Sequence, residues 1–108
     1  MKKWKFVVTN GKELRKAIHE ENGVFVINVL KKCYEEILYN YNFDDETDEE
    51  KFRESYDLLE GDDEIIENCN NGTEDISDYG FLTTDGLVDE RLTEFYNLCD
   101  EYDFWIEV

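Results

Sequence analysis

One histidine and three cysteines have the greatest chemical reach in this chain. His19 sits beside Glu20 and Glu21, while Cys33, Cys69 and Cys99 lie far apart. A cysteine activated by histidine would make a nucleophile. No nucleophile motif accompanies His19, however, and a histidine at a helix end is suited to the negative pole of the helix dipole. Three cysteines and His19 would also suffice to hold zinc. Structural zinc sites bring their ligands in close pairs, and this chain has no C-x-x-C. Cys33 and Cys99 fall on apolar helical stripes and read as core.

The carboxylates are far more numerous: 29 Asp and Glu in 108 residues. The segment "DISDYGFLTTDG", residues 75–86, has Asp75 first and Gly80 sixth, as a calcium loop requires. Its fifth position is Tyr79 and its twelfth is Gly86, where the loop needs an oxygen ligand and a bidentate Glu. No glycine-rich phosphate loop is present. Carboxylate pairs occur throughout, so pairing alone does not single out an acid–base couple. The chain is expected to be non-enzymatic and to carry no cofactor or metal.

The elements that hold these residues follow from length and pattern. A chain of 108 residues fits one domain, residues 1–108, and can bury a core without disulfides or metals. Hydrophobic residues make up 41% and aromatic residues 15%, which separates the chain from a disordered acidic tail despite a net charge of −18. Proline is absent, which favours uninterrupted helices. The start "MKKWKFVVTN" lacks the apolar run of a signal peptide, and no segment is long and apolar enough to span a membrane. An odd number of dispersed cysteines suits reduced thiols in a cytoplasm.

Alternation predicts strands over Trp4–Thr9 and Phe104–Val108, paired in one small sheet, with Trp4 and Trp105 read as core. Helices are predicted near 11–21, 24–41, 47–60 and 88–102. Asn22-Gly23 reads as a stop for the first helix. Residues 24–29 are β-branched, but Val26, Val29, Leu30, Cys33, Ile37, Leu38 and Tyr41 form one helical stripe, so helix is expected. "TDEE" at 47–50 matches a capping box with Thr47 as cap and Glu50 reaching back. Gly61 is expected to close that helix, with "DDEIIEN" as one further turn, and 70–86 reads as loop. The expected class is α+β: a mostly helical single domain whose terminal strands form a small sheet.

Charge divides the chain. Residues 1–33 carry a net +5 and residues 34–108 a net −23. The run 44–64 holds twelve acids against Lys51 and Arg53. Asp44, Asp45, Glu46, Asp48, Glu49, Glu50, Asp62, Asp63 and Glu64 are its densest part and the predicted partner-binding surface. In size, charge and the acidic runs "DDETDEE" and "EGDDE", over roughly residues 44–103, the chain resembles the small acidic DNA-mimic inhibitors of phages and mobile elements, of the anti-CRISPR or anti-restriction type. The resemblance implies an inhibitor that occupies the basic nucleic-acid groove of a nuclease, such as a Cas effector or a restriction enzyme. The expected partner is then a basic, nucleic-acid-binding protein, with no direct binding of nucleic acid or membrane. Two other readings fit the same charge: an immunity protein or antitoxin against a basic toxin, and a solvated acidic domain.

Overall fold

The computed structural model of the chain describes residues 6–20 and 23–106. The order is β1 (Phe6–Val8), α1 (Gly11–His19), α2 (Gly23–Asn40), α3 (Glu46–Asn70), a 3₁₀ turn (Ile76–Tyr79), α4 (Thr84–Glu101) and β2 (Phe104–Ile106). The α+β class expected from the sequence holds: four helices and one two-stranded sheet made by the first and last elements. Trp4 and Val108, assigned to those strands by alternation, lie outside the described residues.

The strands run parallel, with Phe6 opposite Phe104, Val7 opposite Trp105 and Val8 opposite Ile106. Alternation then sends Phe6, Val8, Phe104 and Ile106 inward and Val7 and Trp105 outward. Val8 is fully buried and Phe104 is 3% exposed, whereas Trp105 is 41% exposed. Trp105 therefore leaves the predicted core, because its two apolar neighbours claim the inner face.

α2 is the central helix; α1, α3, α4 and β1 all pack on it. Its buried set is Val26, Ile27, Val29, Leu30, Cys33, Tyr34 and Ile37. That arc is wider than one stripe because neighbours approach from several sides, and this burial overrides the β propensity of residues 24–29. Around it Phe52 joins Tyr34, Phe43, Tyr102 and Phe104 in edge-on and tilted ring contacts with centroids 5.2–6.2 Å apart. Such pairs add to the stabilisation from area burial alone. Glu36 of α2 secures the turn into α1: its carboxylate accepts from Thr9 N at 2.6 Å and from Asn10 Nδ2 at 2.7 Å.

Four boundaries differ from expectation, each for a local reason. α3 does not stop at Gly61 but runs unbroken through "DDEIIEN" to Asn70. Gly61 has open space around it and no positive φ, so nothing there demands a turn. Ile66, beyond it, is buried and extends the apolar face begun by Phe52 and Leu59. The cap of α3 is Asp45, not Thr47: its side chain accepts from Thr47 N at 2.8 Å. Asp caps at least as well as Thr, and the choice lets Glu46 and Thr47 join the helix. Gly23 opens α2 rather than closing α1, which ends at His19. α4 begins at Thr84, four residues early, because the Thr83 hydroxyl accepts from Gly86 N at 2.9 Å.

Candidate interaction surface

The carboxylates of α3 divide by helical angle. Phe52, Ser55, Leu59, Asp62 and Ile66 mark the buried side. On the opposite side Glu46, Glu50, Arg53, Asp57, Glu60, Glu64 and Glu67 are all exposed. They follow one another at alternating steps of four and three residues, so they stack in a single row along the helix. The row spans about 31 Å. Glu49, Glu54 and Asp63 flank it, and the outward half then carries nine carboxylates.

The nine residues predicted for partner binding do not behave alike. Asp44, Glu46, Glu50 and Glu64 are exposed. Asp45 is exposed too, but one carboxylate oxygen is committed to capping α3. Asp48 accepts from the Tyr102 hydroxyl at 2.6 Å and so fastens the start of α3 to the end of α4. Burial, and then the bond to Asp48, push the Tyr102 phenol up. Glu49 pairs with Arg53 one turn on, at 3.3 Å. Asp63 is half-buried, with Oδ1 out of solvent and unpaired.

Asp62 corrects the prediction outright: it is 4% exposed and faces α4. Arg91 Nε donates to its Oδ2 at 2.5 Å, and Arg91 Nη1 lies 3.6 Å from Glu94 Oε2. The Arg91 guanidinium also sits 5.7 Å from the Phe81 ring centroid. Burial alone would lower the Arg91 pKa, but the bond and charge of Asp62, with Glu94 and Glu90, leave it above its ordinary value. A hydrophilic residue in an acidic run looks solvated in the sequence; only the heptad phase reveals that Asp62 shares a face with Leu59 and Ile66. The same phase identifies Asp57, Glu60 and Glu67, which the densest runs leave out.

α4 adds a second acidic wall. Ser55 Oγ donates to Glu94 Oε1 at 2.8 Å, and Lys51 Nζ lies 3.8 Å from Glu101. Between the two helices Leu58 remains 46% exposed. The basic residues of α1, Lys12, Arg15 and Lys16, are exposed on a helix whose main partner is α2.

The two buried cysteines sit in settings that suppress reactivity. Burial, then nearby Glu36 and Cys99, push the Cys33 thiol up. Burial alone pushes Cys99 up to about 12. His19 is exposed at the last turn of α1. Among the described residues no group of three or more His, Cys, Asp or Glu side chains is arranged to hold a metal ion. None of the described helices is long and apolar enough to cross a membrane.

No family model, curated protein or solved structure matches this chain.

Proposed function

We propose that the chain is a non-catalytic inhibitor that presents nucleic-acid-like charge to the basic groove of a nuclease, of the Cas-effector or restriction class, and blocks its substrate. The exposed row on α3 carries this reading. The row's six carboxylates and the three that flank it, nine over about 31 Å, place roughly one carboxylate per 3.5 Å, with Arg53 as the cation among them. One strand of duplex DNA carries one charge per about 3.4 Å of axis. Proteins that hold DNA do so mainly through Lys and Arg on phosphate. A rigid helix with matching charge spacing can engage those same residues without an ordering cost of its own.

The rest of the molecule supports the same reading. α3 is fastened on its inner side by Phe52, Leu59, Ile66 and the Asp62–Arg91 pair, so its outer side is free of structural duty. Lys51 and Arg53, the bases of α3, are already engaged by Glu101 and Glu49. A basic toxin in place of a nuclease would use the same row, and the two readings separate by partner. A cytoplasmic setting, where dispersed cysteines stay reduced, belongs to the proposal.

The test is inhibition of DNA cleavage. A panel of Cas effectors and restriction nucleases is titrated with the protein at low and high salt. Stoichiometric inhibition that salt relieves, and that excess duplex DNA competes away, is the expected result. Absence of inhibition across the panel, together with capture of a small basic toxin, selects the immunity-protein reading.

A further inference from the structure

The groove between α3 and α4 adjoins the outward acid row and shares Glu54 with its flank. A recess of about 210 Å³ is lined by Lys51, Glu54, Ser55, Leu58, Glu94 and Leu98. Through Glu94 and Leu98 it continues into a shallower recess on α4 bounded by Glu90 and Glu101. Its floor is apolar: Leu58 is nearly half exposed, and Leu98 is packed only in part against the core. Its rim has four glutamates against one lysine, and that lysine is engaged by Glu101. Glu94 is held in place by Ser55 and Arg91, so that side of the rim is anchored.

We propose that this groove docks an amphipathic basic helix of the partner, with aliphatic side chains on Leu58 and Leu98 and Lys or Arg on the glutamate rim. The inference rests on the reading of the partner as a basic protein and adds a contact that charge mimicry alone does not require. Charge complementarity selects the occupant. A second copy brings another net −18, and its basic helix α1 has Leu14 and Ala17 already buried and so offers no apolar anchor for the floor. A nucleic acid is repelled by the acidic rim. A uniformly charged basic loop would satisfy the glutamates and leave the leucines in water. Helices that lie in grooves present apolar anchors at i, i+3/i+4 and i+7, which suits a floor of Leu58 and Leu98 between acidic walls.

The test uses a synthetic peptide of leucine and lysine patterned as an amphipathic helix, and a scrambled peptide of identical composition. Affinity for the intact protein is read by fluorescence anisotropy. The patterned peptide is expected to bind about tenfold more tightly than the scrambled one, the difference that burial of one leucine-sized side chain supplies. Leu58→Glu removes floor and adds attractive charge, so the two contributions change in opposite directions. About tenfold weaker binding of the patterned peptide is expected, with unchanged circular dichroism. Equal affinity for both peptides, or undiminished binding by Leu58→Glu, overturns the proposal. A dimer in sedimentation that Leu58→Glu abolishes overturns the choice of occupant. Reversal of Glu60, Glu64 and Glu67 to Lys separates the two readings. If it ends nuclease inhibition while the patterned peptide still binds wild type no better than the scrambled one, only the groove proposal fails. If the peptide discriminates and no nuclease is inhibited, only the mimicry reading fails.

Discussion

Arg91 and Asp62 form an ion pair with both side chains largely out of solvent, 13% and 5% exposed, between two helices that are each strongly acidic. Arg91 is the sole base on α4 and, with the more exposed Lys51–Glu101 pair, is where that helix meets α3 with opposite charge. Removing one partner of such a pair leaves the other charge buried. Asp62→Ala is expected to cost about 3–5 kcal/mol. Replacing Asp62 and Arg91 together with apolar residues of similar volume is expected to cost far less. Urea melts of the two single variants and the double variant measure the coupling. A near-additive result would mean the pair is not coupled. It follows that reversing Asp62, Asp63 and Glu64 together to Lys destabilises the fold, and that loss of binding by that triple variant mixes folding with the loss of Glu64 from the row.

Gly61 is exposed within α3, with ordinary helical backbone and empty space where a Cβ would stand. Gly61→Ala is expected to stabilise the protein by about 0.5–1 kcal/mol, since Ala loses less backbone freedom. Thermal denaturation should rise by a few degrees, about 4–8 °C per kcal/mol for a domain of this size. A fall in melting temperature would show that α3 has a break at this position.

Phe52 is fully buried and meets Tyr34, Phe43, Tyr102 and Phe104. Phe52→Ala is expected to cost about 3–5 kcal/mol. That is a large part of the 5–15 kcal/mol typical of a small domain, so the variant should melt early and over a broader range. Phe52→Leu should retain most of the stability.

The outer row of α3 responds in the opposite way. Like charges four residues apart repel, at about 0.2–0.5 kcal/mol per pair. Changing Glu60, Glu64 and Glu67 to Gln is therefore expected to leave the fold unchanged or slightly more stable. Affinity for a basic partner should fall, and its dependence on salt should flatten. Equal affinity of wild type and variant, measured at low salt, would remove the row from the binding surface.

The thiols predict a pH response. Cys99 titrates near 12 in the folded chain against an ordinary 9.0, so the fold favours the neutral thiol. Its contribution is fully present below pH 9 and is lost as pH rises toward 12. Stability should decline across that window. At pH 8 a thiol reagent should modify Cys69 first, though more slowly than a free thiol because partial burial and then Glu74, Asp75 and Asp78 push it up, and Cys33 and Cys99 only on unfolding. Rapid labelling of all three would contradict the buried placement.

The parts of this architecture that were legible in the sequence are those set by periodicity. The Val26–Ile37 stripe, the terminal strands and the helical class follow from spacing alone. Caps and stops were less legible, because several residues compete for the same job. Asp45 and Thr47 are both good caps, and Gly61 is equally at home at a helix end or on an exposed helix face. The acidic run was visible as density but not as geometry. Density put Asp62 beside Glu64, whereas the helical phase turns one inward to Arg91 and the other out to solvent.

The parallel pairing of β1 with β2 makes the last described strand close on the first. Nearly the whole chain separates the two partners, and closing so long a loop is entropically costly until the helices have already drawn its ends together. The sheet then behaves as a clasp that zips late. Because the strands are parallel, the chain enters one end of the sheet and leaves at the other. Phe6 and Ile106 therefore lie at opposite ends of the clasp, and a truncation before Phe104 would unfasten it by removing the strand that covers the fully buried Val8.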